Sequence, residues 1–214
     1  MKILLLGKNG QLGWELQRSL APLGELLALD RNSTTFCGDL SNLEGLAETV
    51  RVFKPNVVVN AAAYTAVDKA ESDAEMAHRV NALAPEVLSR ACAALGAYLV
   101  HYSTDYVFNG AGQKPWTEKD STGPLNVYGH SKLAGEQGIA KQGAQHVIFR
   151  TSWVYGTEGG NFAKTMLRLA QEREKMTVIN DQFGAPTGAA LLADVTAMAL
   201  QASERLLGVY HLAA

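Results

Sequence analysis

The chain has 214 residues, of which 47% are hydrophobic and 19% charged, and its formal net charge is −2. This balance is typical of a globular domain and excludes the strongly basic surface of a nucleic-acid-binding protein. No apolar run approaches the roughly 18 residues that span a bilayer, and the opening MKILLLGKNG has too short an apolar run for a signal peptide. Cys37 and Cys92 form no metal or disulfide pattern, so we expect a cytoplasmic protein that binds neither nucleic acid nor membrane.

Apolar runs alternate with helical patterns over the first 155 residues. The apolar runs predict strands at 2–6, 25–30, 56–63, 98–103 and 146–151. The intervening patterns predict helices at 11–20, 43–53, 74–95 and 127–140, with Pro85 marking a kink or break in the third. Strands that are apolar on both faces belong to sheets covered on both sides. We therefore predict an α/β fold, a doubly wound parallel sheet of Rossmann-like type, over residues 1–155.

The pattern is weaker after residue 155. It predicts a helix at 161–171, a short strand at 176–179, a helix at 191–202 and a strand at 209–214. This part is small for an independent domain, so we interpret residues 156–214 as a partial substrate-binding region. Because the chain ends on an apparent strand, we expect this region to be truncated.

Three glycines follow the first strand in the pattern G-x-x-G-x-x-G. Gly7 permits a tight turn from strand to helix, Gly10 lets a pyrophosphate approach the backbone, and Gly13 lets the helix pack closely on the sheet. The strict dinucleotide fingerprint has one residue fewer between its first two glycines. The pattern favours a nucleotide site over a merely glycine-rich turn.

Asp30 ends the second predicted strand, 17 residues after Gly13. A carboxylate at this place can accept hydrogen bonds from both adenosine-ribose hydroxyls and would repel a 2′-phosphate, which favours NAD. The adjacent Arg31 could instead receive that phosphate, so the choice between NADH and NADPH stays open. A capping aspartate at the end of a strand is the alternative.

Tyr128 and Lys132 lie four residues apart in the predicted helix at 127–140, so they share one helix face. They could be a phenol packed over a lysine stem, with the ammonium group in water. They could also be an acid and a cation that lowers its pKa towards neutrality. The segment STDYVFNG at 103–110 places hydroxyl residues at the end of a buried strand, where ligands bind in open α/β sheets.

The glycine turn, Asn-Ala-Ala at 60–62, Ser-Thr at 103–104 and the Tyr-x-x-x-Lys pair, in this order, resemble an extended short-chain dehydrogenase/reductase. The resemblance implies that Tyr128 donates a proton to a substrate carbonyl as hydride arrives from NADH or NADPH. Lys132 would lower the Tyr128 pKa and hold the nicotinamide ribose, and Thr104 would hydrogen-bond the carbonyl. It also implies a set of cofactor contacts along the chain: Gly7, Gly10, Gln11, Leu12, Gly13, Asp30, Asp39, Leu40, Ala63, Tyr64, Thr65, Tyr128 and Lys132.

The stretches KNGQLG, AAAYTAVDKAE, STDYVFNG, RTSWVYG and DQFGAPT narrow the resemblance to reductases of nucleotide-linked keto sugars. Dehydratases of this type carry Asp-Glu after the threonine, whereas this chain has Asp105-Tyr106. The implied substrate is a nucleotide sugar, held by Thr104, Asp105 and Trp153. Three of the implied site residues have a structural alternative. Thr104 could cap its own backbone, Asp39 could cap the next helix, and Trp153 could be a half-buried packing residue.

Some members of the family bind Mg²⁺ through glutamates at a dimer contact. Glu15 matches one of these glutamates, but residue 190 is alanine and the last ligand would lie beyond Ala214. We therefore expect no metal, while a homodimer is possible. The rival functions are a sugar-nucleotide epimerase or dehydratase, which recycles tightly held NAD, and a non-catalytic NAD(P)-binding regulator, which would not need Tyr128 and Lys132.

Overall fold

The computed structural model describes all 214 residues. Six parallel strands form one sheet in the order β2-β1-β3-β4-β5-β8, and two short strands, β6 and β7, form a second. The strands are β1 (Lys2–Leu6), β2 (Glu25–Leu29), β3 (Val57–Asn60), β4 (Tyr98–Thr104), β5 (His146–Thr151), β6 (Val154–Tyr155), β7 (Thr187–Gly188) and β8 (Gly208–His211). The α-helices are α1 (Gln11–Leu20), α2 (Leu43–Phe53), α3 (Val67–Ala70), α4 (Ala74–His78), α5 (Ala84–Leu95), α6 (Val127–Lys141), α7 (Phe162–Glu172) and α8 (Ala189–Gln201).

The main sheet is covered on both faces, which confirms the predicted doubly wound α/β fold. Alternate side chains of β1, such as Ile3 and Leu4, enter different cores because successive strand residues point to opposite faces. Helices α1 and α8 bury their apolar faces on one side of the sheet. Helices α2, α5 and α6 cover the other side.

The strand order reverses direction beside β1, because β2 lies on one side of it and β3 on the other. The carboxyl ends of β1 and β3 therefore flank a crevice, the usual ligand-binding place of such sheets. The glycine turn follows β1, and residues 61–65 follow β3. The topology brings both predicted cofactor segments to this crevice.

The helical segment predicted at 74–95 is divided by a π-helical turn, Arg79–Leu83, between α4 and α5. Pro85 lies in the first turn of α5, where its missing N–H costs least. The break therefore falls just before the proline. The turn buries Asn81, which lies near the predicted site.

The strand predicted at 176–179 is wrong. Residues 173–186 form no strand, and Met176, Val178 and Ile179 are exposed. An apolar run becomes a strand only beside another strand, and none lies next to this one. By contrast, the predicted C-terminal strand exists as β8 and pairs in parallel with β5.

Helix α8 and strand β8 share the core and the sheet of residues 1–151. Leu192, Ala193 and Leu200 of α8 lie in the same apolar cluster as Ile3 and Leu5 of β1. This packing leads us to propose a substrate-side region of residues 152–188, narrower than the 156–214 predicted from the pattern.

Candidate active site

The glycine turn between β1 and α1 is compact, and two of its glycines are required by the chain itself. Gly7 has a φ of 91°, and an added Cβ would lie 2.8 Å from the backbone nitrogen of Ala62. At Gly13 a Cβ would lie 2.0 Å from the carbonyl oxygen of Gly7. At Gly10 the nearest atom, the same oxygen, is 3.4 Å away. The missing side chain at Gly10 therefore leaves room for something other than this chain.

Helix α1 begins at Gln11, and no side chain caps its first turn. The first N–H groups of a helix have no partner within it and carry partial positive charge. The turn thus offers the donors and the close backbone approach that a pyrophosphate requires. These residues fit a dinucleotide phosphate, as the sequence predicts.

Asp30, just after β2, faces this turn. Its carboxylate accepts hydrogen bonds from the Asn9 side chain, from the Asn32 N–H at 2.9 Å and from the Ser33 hydroxyl at 3.1 Å. The Lys8 ammonium lies 3.9 Å away. Desolvation opposes ionisation, but these bonds and the Lys8 charge outweigh it and hold the Asp30 pKa below its ordinary value. Asp30 is therefore an ionised acceptor beside the glycine turn.

Asp39 does not cap α2, so that alternative is wrong. Its carboxylate accepts from the Ser41 N–H at 2.9 Å, and Asn42 is the cap, accepting from the Gly45 N–H at 2.9 Å. Leu40 is buried in the core beneath α2. Asp39 and Leu40 thus lie in a turn near the end of the connection between β2 and α2, just before α2 begins.

Residues Ala63, Tyr64 and Thr65 follow β3 and are anchored by a side chain that the sequence analysis missed. Asn81 accepts from the Tyr64 N–H at 2.9 Å and donates to the Tyr64 carbonyl oxygen at 3.0 Å. It also donates to the Ser131 hydroxyl of α6 at 3.0 Å. The π-helical turn therefore ties the segment after β3 to the helix of Tyr128. The proline-marked break was the available signal, since π-turns are frequent at functional sites.

Tyr128 is buried near the start of α6, whose cap is Asn126. Its ring packs edge-to-face on Tyr106, with ring centroids 5.6 Å apart. Burial raises the Tyr128 pKa to about 12, and a hydrogen bond with the Thr104 side chain acts in the opposite direction. The lowered pKa that we predicted for Tyr128 is therefore wrong for the protein in this structure, because desolvation of the phenolate dominates.

Lys132 is only 2% exposed, so the interpretation of a surface lysine with its ammonium in water is wrong. Its Nζ donates to the Tyr102 carbonyl oxygen at 2.6 Å and lies 3.4 Å from Nε2 of His101. Burial lowers the Lys132 pKa to about 8, although the charge of Glu136 raises it. A buried amine that titrates near neutral pH is a common mark of a functional lysine.

A buried ion pair lies one helical turn beyond Lys132. Arg150 of β5 donates to both carboxylate oxygens of Glu136, at 2.9 and 2.6 Å. The sequence analysis missed both residues. The signals were present, because Glu136 follows Lys132 by four residues and Arg150 interrupts an apolar strand. A charge in such a strand requires a partner.

Thr104 ends β4, and its hydroxyl has local partners. It accepts from the Tyr106 N–H at 3.2 Å and donates to Asp105 at 3.1 Å. The capping alternative is therefore confirmed. Burial raises the pKa of Asp105, while the Thr104 hydrogen bond lowers it.

Asp105 and Trp153 border one cleft of about 970 Å³ at the carboxyl ends of β4 and β5. Trp153 is 45% exposed, and its φ of 45° is a costly conformation for a bulky residue. Its ring packs over Gly184, where an added Cβ would lie 2.7 Å from Cε2 of the indole. Trp153 therefore packs on Gly184 and is also partly exposed at the cleft.

Glu15, which matches one of the family's magnesium ligands, lies in α1. Glu15 pairs with Arg18 at 3.2 Å, and no group of three or more His, Cys, Asp or Glu side chains could hold a metal ion. None of the helices is long and apolar enough to cross a membrane.

Comparison with known proteins places this geometry in a family. The family model described as the RmlD substrate binding domain matches residues 1–214. The dTDP-4-dehydrorhamnose reductase of Escherichia coli K12 is 61% identical over 217 residues, an alignment that covers 100% of this chain and 73% of that protein. The reductase of the same name from Burkholderia thailandensis is 52% identical over 219 residues, covering 99% of this chain and 72% of that one.

Solved structures agree with the sequence comparison. A dTDP-4-dehydrorhamnose reductase from Clostridium acetobutylicum has a TM-score of 0.92 and 39% identity, with 100% of this chain and 74% of that chain covered. The Bacillus anthracis reductase, solved in complex with NADP, has a TM-score of 0.91 and 38% identity, with 100% and 75% covered.

Proposed function

Because the chain belongs to the family of dTDP-4-dehydrorhamnose reductases, we propose that it reduces the 4-keto group of dTDP-4-dehydro-L-rhamnose to give dTDP-L-rhamnose. This is the last step of dTDP-L-rhamnose synthesis, which supplies cell-surface polysaccharide. The observation that carries the proposal is the buried arrangement of Thr104, Tyr128 and Lys132 beside the cleft that Asp105 and Trp153 border.

The residues around the crevice fit NADH or NADPH. When bound, the cofactor supplies the hydride. Gly7, Gly10 and Gly13 shape the phosphate site, where the N–H groups of Gln11 and Leu12 donate. Asp30 is placed for the adenosine ribose, and Asp39 and Leu40 for the adenine side. Residues 63–65, together with Tyr128 and Lys132, serve the nicotinamide half.

Tyr128 is the proton donor in this proposal. Its raised pKa keeps the phenol protonated at neutral pH, which is the form that reduction of a ketone requires. Losing that proton would leave a phenolate in a buried place, at a high cost in free energy. The Lys132 amine, when protonated, is the positive group of this helix face that can offset the cost. The Thr104 side chain lowers the Tyr128 pKa and can also orient the substrate carbonyl.

Asp105 and Trp153 form the sugar-nucleotide side of the site. The partly exposed indole of Trp153 offers an apolar surface on which a deoxysugar can stack. The Asp105 carboxylate can accept hydrogen bonds from sugar hydroxyls. The strained backbone at Trp153 supports this role, because such strain concentrates at binding sites. In this proposal, residues 152–188 form one wall of the substrate cleft.

We also propose that the protein acts in the cytoplasm and forms a homodimer. The proposal of a dimer is supported by three exposed apolar side chains on the packed helices α1 and α8, namely Trp14, Leu191 and Met198. Sedimentation of the protein with and without Trp14→Glu tests it, because the charged variant is expected to sediment as a monomer. Sedimentation of both proteins as monomers would contradict the dimer.

The experiment that tests the function follows the absorbance of reduced cofactor with dTDP-4-dehydro-L-rhamnose as substrate. We expect one NADPH or NADH consumed for each dTDP-L-rhamnose formed. An epimerase or dehydratase would change the sugar without net consumption of the cofactor, and a regulator would do neither. Either result would contradict the proposal.

A further inference from the structure

Two buried side chains behind helix α6, Asn60 and His101, form a chain of contacts that ends at Lys132. Asn60 at the end of β3 and His101 in β4 are register partners on neighbouring strands. The Asn60 Nδ2 lies 3.1 Å from Nδ1 of His101, and the His101 Nε2 lies 3.4 Å from Nζ of Lys132. Asn60 and His101 are each 1% exposed, so water does not compete for these contacts.

The Asn60 amide can take only one orientation. Its Oδ1 accepts from the Ala62 N–H at 3.2 Å. Exchanging the oxygen and nitrogen would place two donors face to face and leave the Ala62 N–H without an acceptor. The amide nitrogen must therefore point at His101 and donate to Nδ1.

This donation settles the tautomer of His101. Nδ1 accepts a hydrogen bond, so it carries no proton. Burial in the core, the largest cause, keeps the His101 pKa well below its ordinary value, so the ring is neutral. A neutral ring carries one proton, which must lie on Nε2. His101 thus directs an N–H at the Lys132 nitrogen.

An ammonium group has no lone pair with which to accept that N–H, whereas an uncharged amine has one. We infer that Asn60 and His101 are positioning residues that direct an N–H donor at the Lys132 nitrogen and so favour its uncharged amine. Among the charged groups around Lys132, Glu136 on the same helix acts in the opposite direction, and Arg150 neutralises Glu136 in turn. On the proposed function, Lys132 offsets a Tyr128 phenolate only in its protonated form, which the His101 N–H disfavours.

The tautomer can be read directly from the ¹⁵N spectrum of the histidine-labelled full chain. The His101 signals are assigned by their loss in His101→Gln. Between pH 6 and about 8 we expect Nε2 protonated and Nδ1 unprotonated. The opposite assignment would overturn the inference. Neither substrate nor turnover is involved, so this result is independent of whether the protein reduces the sugar.

A matched variant, Asn60→Asp, reverses the direction of the hydrogen bond with His101 Nδ1 and keeps the shape of the side chain. The carboxylate accepts from both the Ala62 N–H and the Nδ1 of His101, so the proton moves to Nδ1 and Nε2 becomes an acceptor. The ¹³C signal of the Lys132 Cε, assigned with Lys132→Met, should then titrate about one pH unit higher than in the wild type.

The double variant Asn60→Asp, His101→Phe distinguishes two ways in which the new carboxylate could raise the Lys132 pKa. One acts through the His101 tautomer, and the other is the direct attraction of the carboxylate charge. We expect the double variant to lose at least half of the shift in the Lys132 titration. A shift of full size without His101, or no shift after the tautomer has reversed, would overturn the inference. If Asn60→Asp does not fold, the wild-type tautomer alone decides.

Discussion

Burial determines the protonation of three side chains at the site. It raises the Tyr128 pKa to about 12, lowers the Lys132 pKa to about 8 and keeps His101 neutral. The sequence could predict that Tyr128 and Lys132 share a helix face, because that follows from spacing. It could not predict the direction of the Tyr128 pKa shift, which depends on the side chains that three other elements place around it.

The neutral, buried state of His101 predicts an acid-sensitive fold. Below pH 6.5 the unfolded chain binds a proton at this histidine, whereas the folded chain does not, so stability falls as the pH falls. The expected loss between pH 6.5 and 5.5 is about 1 kcal/mol from this one group, and the slope approaches about 1.4 kcal/mol per pH unit at lower pH. Urea unfolding at pH 6.5 and 5.5 measures it, with His101→Gln as the variant that should lose this slope. Equal slopes would refute the assignment.

Asp30 predicts a preference between the two cofactors. If Asp30 binds the ribose hydroxyls as proposed, Asp30→Ala should weaken NADH binding more than NADPH binding. One charge-assisted hydrogen bond is worth about 1.5–3 kcal/mol, which is roughly a 10- to 100-fold change in affinity. Fluorescence titration with both cofactors checks this, and Asp30→Asn controls for shape. If both affinities fall equally, Asp30 does not read the ribose.

At the scale of elements, the helices predicted at 11–20, 43–53 and 127–140 are present because periodicity is local, whereas the short helix α3 was not predicted. The bounds of α1 and α2 agree with the pattern, and α6 runs one residue further than predicted. A strand forms only where a neighbouring strand can pair with it. The strand predicted at 176–179 is therefore wrong, whereas β8 pairs with β5. The π-helical turn before Pro85 and the buried Asn81 were also missed, since a change of helical pitch leaves little trace in apolar spacing.

The glycine turn allows a matched pair of substitutions. Gly13→Ala should destabilise the protein by several kcal/mol, or abolish folding, because the new Cβ would lie 2.0 Å from the Gly7 oxygen. Gly10→Ala should leave stability within about 1 kcal/mol but weaken cofactor binding, since its Cβ meets only one atom of the chain, at 3.4 Å.

Thermal unfolding and cofactor titration of the two variants separate these effects. Gly10→Ala is the control for the change of residue type, because both variants add one methyl group. Normal NADPH affinity in Gly10→Ala would contradict the phosphate role of the turn. A stable, wild-type-like Gly13→Ala would contradict its packing role.

At the scale of the whole molecule, one sheet joins the beginning and the end of the chain. Composition and the alternation of elements were enough to predict a covered parallel sheet. The sequence could not show that α8 packs on α1, because that contact joins helices more than 160 residues apart. The segment between β6 and β7 does not contribute to this shared core, since no residue of α7 belongs to either of the two large apolar clusters.

This arrangement predicts where a protease cuts first. The segment after α7 is exposed and carries Arg173 and Lys175. Brief native trypsin digestion should cut there before it cuts within the strands and helices of residues 1–151, because the backbone of those elements is held by hydrogen bonds and packing. Mass spectrometry identifies the first fragments, and Arg173→Gln with Lys175→Gln should delay them. A first cut inside the core would contradict the proposed boundaries.

The central claim is that Tyr128 gives its proton to the reduced carbonyl, and Tyr128→Phe tests it most directly. The variant keeps the ring that packs on Tyr106 and removes only the hydroxyl. We measure kcat with dTDP-4-dehydro-L-rhamnose and, separately, the affinity for NADPH. We expect kcat to fall by about 10²- to 10⁴-fold and NADPH affinity to stay close to that of the wild type. A variant that keeps more than about a third of the wild-type kcat would lie far outside this range and contradict the claim.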